Sequence, residues 1–114
     1  HLKENGRIVI MLCAFDGPPR IVRLFGTGTA HPLGADRFAE LATRFPELPG
    51  ARSIVELEVD RIQSSCGYAV PFMAFDRERP TLRQWAERKT PEDLRDYWAA
   101  KNAASIDGLP ALDH

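Results

Sequence analysis

Residues 63–71 have the composition of a ligand-binding loop. They include Ser65, Cys66, Gly67 and Tyr68 in succession. Glycine allows the backbone to approach a ligand closely, and the serine, thiol and phenol groups beside it offer polar contacts. No pairing of a nucleophile with a general base is evident there. The segment is therefore a place where the backbone could approach a ligand closely.

Metal chemistry has little support in the sequence. Cys13 and Cys66 are too few for a disulfide framework or a metal site, and the three histidines are scattered. Glu56, Glu58 and Asp60 alternate along one stretch. Without other ligands nearby, these acids indicate a solvated strand face, and Cys13 fits a plain core thiol. We predict no bound metal.

Charge and hydropathy exclude several classes of protein. The formal net charge is −1, with basic and acidic residues mixed along the chain. This balance gives no basic surface for nucleic acid. The longest apolar run, residues 8–15, is far too short to span a bilayer, and no secretory signal precedes it. The sequence predicts a cytoplasmic protein with no nucleic-acid or membrane partner.

Two apolar runs, residues 7–15 and 20–29, organise the rest of the chain. The turn sequence DGPP at residues 16–19 joins them and predicts a β-hairpin, and residues 31–35 read as a loop. The first run is apolar at both odd and even positions, so a strand there is apolar on both faces. Such a strand must be covered on both faces, as in a barrel wall that also forms an interface.

A third strand and several helices complete the prediction. Apolar and acidic residues alternate over residues 53–62, which is typical of a strand with one wet face. Helices are predicted to start at Asp36, Thr81 and Thr90, each as an N-cap. Gly6 is predicted as the C-cap of a helix whose start is not in view.

This order of elements implies an antiparallel α+β domain that is incomplete. Three strands are too few to close a barrel, and a small isolated sheet would leave its second apolar face bare. The chain also opens inside a helix, which is unusual for a natural domain. We therefore expect a fragment, or a chain whose beginning is not included, completed by N-terminal strands or by a second subunit.

Several blocks of the sequence resemble the pyridoxamine 5'-phosphate oxidase-related family of flavin-binding split-barrel proteins. The blocks are HLKENGRI at 1–8, CAFDGPPRIVRLFG at 13–26, SCGY at 65–68 with VP at 70–71, WAERK at 85–89, and a tail at 101–110 that ends in SIDGLP. The resemblance covers the later part of the family domain. It implies a mainly β (α+β) fold: a split β-barrel of antiparallel strands with peripheral helices, incomplete at the N-terminus. Residues 1–114 are then the C-terminal part of a single FMN-binding domain that acts as a homodimer.

The resemblance also implies site residues. The oxidases carry an arginine followed by a flavin-contacting glutamine where this chain has Arg20 and Ile21, so the glutamine is missing. They place a tryptophan at about the position of Ser65. Both departures argue against oxidation of pyridoxamine phosphate itself and leave another flavin reaction open. The cofactor-binding residues implied are Arg20, Ile21, Arg23, Ser65, Cys66, Gly67 and Tyr68.

Simpler interpretations stand beside these roles. Arg20 and Arg23 place positive charge near a flavin ring or a substrate anion, or they are solvated or salt-bridged at a hairpin end. Cys66 fits a buried, inert thiol better than a reactive one. Tyr68 either stacks on a ring or covers a subunit seam. The two tryptophans fit core or dimer residues better than ligand platforms.

The activity that the resemblance implies is an FMN-dependent oxidoreductase with an unidentified small-molecule substrate. Flavin supplies redox chemistry, while the protein supplies position and polarity. In the family, most groups that hold the flavin phosphate come from the early strands and from the N-terminus of the helix that follows, so this chain alone is expected to bind flavin only weakly, if at all. A deazaflavin cofactor stays open, as does a non-catalytic split-barrel module for ligand binding or dimerisation.

Overall fold

A computed structural model describes residues 2–111 and shows an α+β fold with a three-stranded antiparallel sheet. The elements in chain order are α1 Leu2–Asn5, β1 Arg7–Cys13, β2 Arg20–Pro32, α2 Asp36–Ala42, β3 Ser53–Cys66, α3 Thr81–Glu87 and α4 Pro91–Lys101.

The sheet has the strand order β1-β2-β3. The hairpin is confirmed, because β1 and β2 pair antiparallel from Arg7 opposite Thr27 to Cys13 opposite Ile21. A further bond, from the N–H of Ala14 to the carbonyl of Arg20 at 2.9 Å, extends the pairing toward the turn.

Two strand ends differ from the prediction. β2 continues through Pro32, so the predicted loop at 31–35 begins two residues late. β3 continues from Ile62 to Cys66, so the first half of the predicted binding segment is strand rather than loop. Backbone pairing does not require apolar side chains, and the polar QSSC sequence extends the strand without changing its hydrogen-bonding groups.

The helix boundaries were predicted correctly at α4 and wrongly at α2 and α3. Thr90 caps α4: its Oγ1 accepts a hydrogen bond from the N–H of Asp93 at 3.1 Å, and its own N–H donates to Asp93 Oδ2 at 2.9 Å. Asp36 and Thr81, predicted as caps, are instead the first helical residues of α2 and α3. A side chain caps a helix only from the position before its first turn.

The start of the chain agrees with the predicted helix end. Gly6 has a φ of +66°, and its N–H donates to the carbonyl of Leu2 at 3.0 Å. This left-handed conformation favours glycine directly after a helix. His1, which the prediction included in this helix, lies outside the described residues.

The chain forms two compact units. The first, called the sheet unit, takes in the chain up to Ala30 together with Val55–Arg77. The second, called the helical unit, takes in His31–Ile54 and the residues from Glu78 onward. Whether the two form one split-barrel domain stays a prediction.

The helical unit contains a small apolar core. Its buried hydrophobic residues are Leu41, Ala86 and Trp98. Trp85 packs edge-on against Tyr97, with ring centroids 5.0 Å apart. The expectation that the tryptophans are core residues is confirmed for Trp98, which is buried.

The sheet unit has no buried hydrophobic side chain among its described residues. Its buried positions there are the glycines Gly28 and Gly67. β1 is exposed on both faces, with Val9 and Met11 on one face and Leu12 on the other. The prediction of a strand apolar on both faces is confirmed, and within the described chain neither face is covered.

Candidate functional site

The two segments predicted to form the site meet across β2 and β3. The guanidinium Nη1 of Arg23 donates a hydrogen bond to Ser65 Oγ at 3.1 Å, and both side chains are partly buried. Because the Arg23 guanidinium is partly buried and donates to a hydroxyl, its orientation is fixed more firmly than that of a solvated arginine. The simpler interpretation of Arg23 as a solvated or salt-bridged residue is therefore not what the structure shows.

Gly67 brings the end of β3 against the start of β2. A Cβ on Gly67 would lie 2.7 Å from the backbone nitrogen of Arg20 and 3.1 Å from the carbonyl carbon of Pro19. Backbone atoms in these positions cannot turn aside as a flexible side chain can, so only glycine allows this approach. Gly67 therefore allows two segments of this chain to approach each other, and its predicted close approach to a ligand stays a prediction.

The alternation of side chains along β2 divides the predicted residues between two faces. Ile21 and Arg23 share one face, and Arg20, an odd number of residues away, belongs to the other. Ile21 lies opposite Cys13 in the ladder and is half-buried. Arg23 and Ser65, joined by their hydrogen bond, define the face on which we place the candidate site.

The remaining predicted residues are exposed. Cys66 is an exposed free thiol, so the interpretation of a buried, inert cysteine is wrong. It follows Ser65 in the strand and therefore faces away from the Arg23 side. The Tyr68 side chain is also exposed and stacks on no described ring. Its predicted roles, against a flavin or at a subunit seam, stay predictions.

Sequence reasoning missed a second arginine on the same face. The Arg61 guanidinium lies 4.2 Å from the ring centroid of Phe25, which follows Arg23 by two residues. Arg61 is four residues before Ser65, so alternation places it on the same side of β3. The four-residue spacing of Arg61 and Ser65 predicts that Arg61 belongs to the site only when the register between β2 and β3 is known.

The two arginines of this face are held by uncharged partners. The guanidinium of Arg23 donates to a hydroxyl, and that of Arg61 lies over an aromatic ring. The ion pairs that the structure does show are elsewhere, such as Arg83 with Glu87 along α3. A guanidinium group over an aromatic ring, with a second arginine on the same face, suits an anionic or electron-rich planar ligand.

Residues 2–111 contain neither a metal-binding cluster nor a membrane-spanning helix. No group of three or more histidine, cysteine, aspartate or glutamate side chains there is placed to hold a metal ion. Within the same residues, no helix has the length and apolar character needed to cross a bilayer.

A named relative supports the family resemblance. No family model and no solved structure matches the chain. It is 38% identical over 127 aligned positions to the pyridoxamine 5'-phosphate oxidase family protein ustO of Aspergillus flavus. The match covers 98% of this chain. The chain is therefore similar over nearly all of its length to a protein of the family that its sequence blocks indicated.

The aligned region is nearly all of this chain but only part of the Aspergillus protein. This chain corresponds to 51% of the Aspergillus protein, so it spans about half of that relative. Groups that the relative carries in its other half have no counterpart in these residues. The activity, substrate and partners of a whole family protein are therefore proposals for this chain.

Proposed function

We propose that this chain is part of an FMN-dependent oxidoreductase and that its sheet unit contributes to the flavin site. The observation that carries the proposal is the hydrogen bond from Arg23 to Ser65, 3.1 Å long. It joins two segments, far apart in the sequence, that the family resemblance assigned independently to the cofactor. The similarity to the Aspergillus protein supports the same function.

The fold supports a split β-barrel as the context of this site. Its antiparallel sheet has open edges at β1 and β3 and an apolar character on both faces of β1. A barrel wall has this character when one face lines the core and the other meets a further layer. Additional strands at the open edges would complete the barrel.

The donor set fits a flavin. Flavin when bound supplies hydride or electron transfer, and the protein orients it and adjusts its polarity. Arg23, aligned by Ser65, and Arg61, aligned by Phe25, direct positive charge to one face of the sheet. Positive charge there stabilises a phosphate, a reduced flavin anion or an anionic substrate.

The substrate differs from that of the oxidases that share the family name. Ile21 replaces the flavin-contacting glutamine, and Ser65 occupies the approximate position of their tryptophan. An isoleucine offers no hydrogen bond to a ring, and a serine fills far less space than an indole. We propose a different small-molecule substrate and a pocket of different shape, with FMN preferred and a deazaflavin as the competing cofactor.

A second function is a non-catalytic split-barrel module for ligand binding or dimerisation. The observation that favours it is the exposed apolar surface of the sheet unit, since a dimerisation surface requires no flavin chemistry. The missing glutamine and tryptophan point the same way. Flavin-dependent consumption of reduced nicotinamide would distinguish the enzyme from the module.

A flavin titration tests the proposal. FMN is added to the wild-type chain and to the Arg23→Gln and Ser65→Ala variants, and quenching of flavin fluorescence is measured. We expect Arg23→Gln to weaken binding by roughly 10-fold or more, because it removes a charged donor. Ser65→Ala should weaken it less, since the arginine keeps its charge but loses its alignment.

The matched control is Arg95→Gln, which removes the same charge from an exposed position on α4. It should leave the affinity unchanged. A wild-type chain that does not quench FMN at any concentration, or an Arg95→Gln variant as weak as Arg23→Gln, contradicts the proposal. The same titration with a deazaflavin decides which cofactor is preferred.

A further inference from the structure

A segment directly after β3 carries an exposed aromatic ring at the end of the sheet that holds the candidate site. Residues 67–73, here called the crossing segment, have the sequence GYAVPFM. The side chain of Phe72 within it is 83% exposed. A phenyl ring this exposed gains free energy from any contact that removes it from water.

The crossing segment is fixed at both of its ends. At its start, Gly67 lies against the backbone of Arg20 at the beginning of β2. At its end, the N–H of Met73 donates to the carbonyl of Phe15, just beyond β1, at 3.0 Å. Since β2 lies between β1 and β3, the segment passes across the end of the sheet at which β3 finishes.

The candidate site lies at the same end of the sheet. Ser65 is two residues before the crossing segment, and its hydrogen-bond partner Arg23 is three residues after Arg20 in β2. Three residues of a strand extend about 10 Å. Phe72 therefore belongs to a segment that borders the Arg23–Ser65 pair.

The crossing segment is longer than its path. Two neighbouring strand spacings, about 10 Å, separate the end of β3 from the end of β1. The chain from Gly67 to Met73 extends to roughly 20 Å when straight. A turn takes up the excess length, in which the N–H of Val70 donates to the carbonyl of Gly67 at 2.8 Å. Opening of this turn lets Phe72 move while both ends of the segment stay in place.

We propose that the crossing segment closes over a flavin held at the Arg23 face, and that the Phe72 ring stacks on the planar ring system of that flavin. The inference rests on the proposed flavin site and adds the residue that covers the ligand. Arg23 binds through charge and hydrogen bonds, whereas the flat ring of a flavin also requires apolar contact. A stacked phenyl ring supplies this contact and removes both surfaces from water.

Digestion with chymotrypsin, which cleaves after aromatic residues, tests the closure. The wild-type chain is digested with and without saturating FMN, and cleavage after Phe72 and after Tyr97 of α4 is followed by mass spectrometry. Cleavage within α4 requires that helix to unfold, so it reports any general stabilisation by the ligand. We expect FMN to slow cleavage after Phe72 roughly 10-fold more than cleavage after Tyr97, because the closed segment is cleaved only when it reopens.

Three variants test the stacking role by stopped-flow measurement of flavin fluorescence. Phe72→Ala should weaken FMN binding about 10-fold, mainly through faster dissociation. Phe72→Trp keeps an aromatic ring and should retain the wild-type affinity. The matched control is Phe75→Ala: Phe75 is 82% exposed but lies beyond the attachment at Met73, so its loss should leave the affinity unchanged.

The outcomes separate this inference from the flavin site on which it rests. FMN that binds and is lost in Arg23→Gln, but that protects Phe72 no more than Tyr97, overturns the closure and leaves the flavin site standing. Equal weakening by Phe72→Ala and Phe75→Ala, or no rescue by Phe72→Trp, overturns the stacking role. A wild-type chain that does not bind FMN overturns both the closure and the flavin site.

Discussion

The sheet unit and the helical unit use their apolar residues in opposite ways. In the helical unit, Leu41, Ala86 and Trp98 are buried within the described chain. In the sheet unit, β1 and residues 68–75 expose theirs, and the buried positions among the described residues are glycines. Burial of apolar surface is the main stabilising contribution to folding, so the sheet unit lacks within this chain what the helical unit has.

The two units also differ in whether their polar contacts suit a binding site or local stability. The sheet unit contains the partly buried arginine–serine pair and the second arginine stacked on a ring. The helical unit contains intrahelical ion pairs and a capped helix, which are features of local stability. The sheet unit, which leaves its apolar side chains exposed, is therefore the unit suited to bind a ligand or another protein segment.

Among the variants that test this comparison, a substitution of Trp98 is expected to change the free energy of unfolding most. Trp98→Ala should lower the free energy of unfolding by about 3–5 kcal/mol, because it removes a buried indole and leaves a cavity. Met11→Ala, at an exposed position of β1, should cost no more than about 0.5 kcal/mol. Urea denaturation followed by circular dichroism measures both.

Equal losses at the two positions would contradict the comparison. They would mean that β1 is as well packed within the single chain as α4 is.

A somewhat smaller effect is expected inside the sheet. A Cβ on Gly26 would overlap the carbonyl oxygen of Glu58 and lie 2.9 Å from its carbonyl carbon. Gly26→Ala must therefore push two backbones apart and should destabilise the chain by about 1–3 kcal/mol. Thermal unfolding measures the loss.

The control for this variant is Gly17→Asn in the hairpin turn. Gly17 has a φ of +68° with open space around it, and asparagine tolerates that conformation. If Gly26→Ala were no more destabilising than Gly17→Asn, the close approach of β2 and β3 would be wrong.

The smallest effect concerns pH and the helical unit. The Asp93 carboxylate accepts hydrogen bonds from the backbone N–H and from the side chain of Thr90, and these lower the pKa of Asp93 below its usual 3.8. A lowered pKa means that the contribution to stability is fully present above pH 3.8 and is lost as the pH falls through the lower folded-state value. The stability difference between wild type and Asp93→Asn should therefore shrink only below that pH.

Acid titrations of the two proteins, each followed by circular dichroism, provide the measurement. A difference that shrinks near neutral pH instead would show that another group titrates.

Local sequence signals predicted much of the fold. The DGPP turn and the flanking apolar runs identified the hairpin, and Thr90 with Pro91 identified the start of α4. These features depend on neighbouring residues alone. The caps at Asp36 and Thr81 were misplaced by one position, because several residues near a helix start satisfy the same pattern.

The candidate site was predictable only in part. The family blocks identified Arg23 and Ser65, but their hydrogen bond depends on the register between β2 and β3, which no short motif determines. Arg61 was missed because its partner Phe25 is distant in sequence. The exposure of Cys66 was mispredicted because a glycine neighbour says little about which face of a strand a side chain occupies.

The most direct test of the central claim is sedimentation velocity of the chain with FMN, detected by the absorbance of the flavin. The claim is that the sheet unit contributes to a flavin site. We predict that flavin sediments with the 12.8-kDa chain, and that Arg23→Gln releases it. Flavin that sediments free of protein at every concentration, while the helical unit remains folded, would contradict the account.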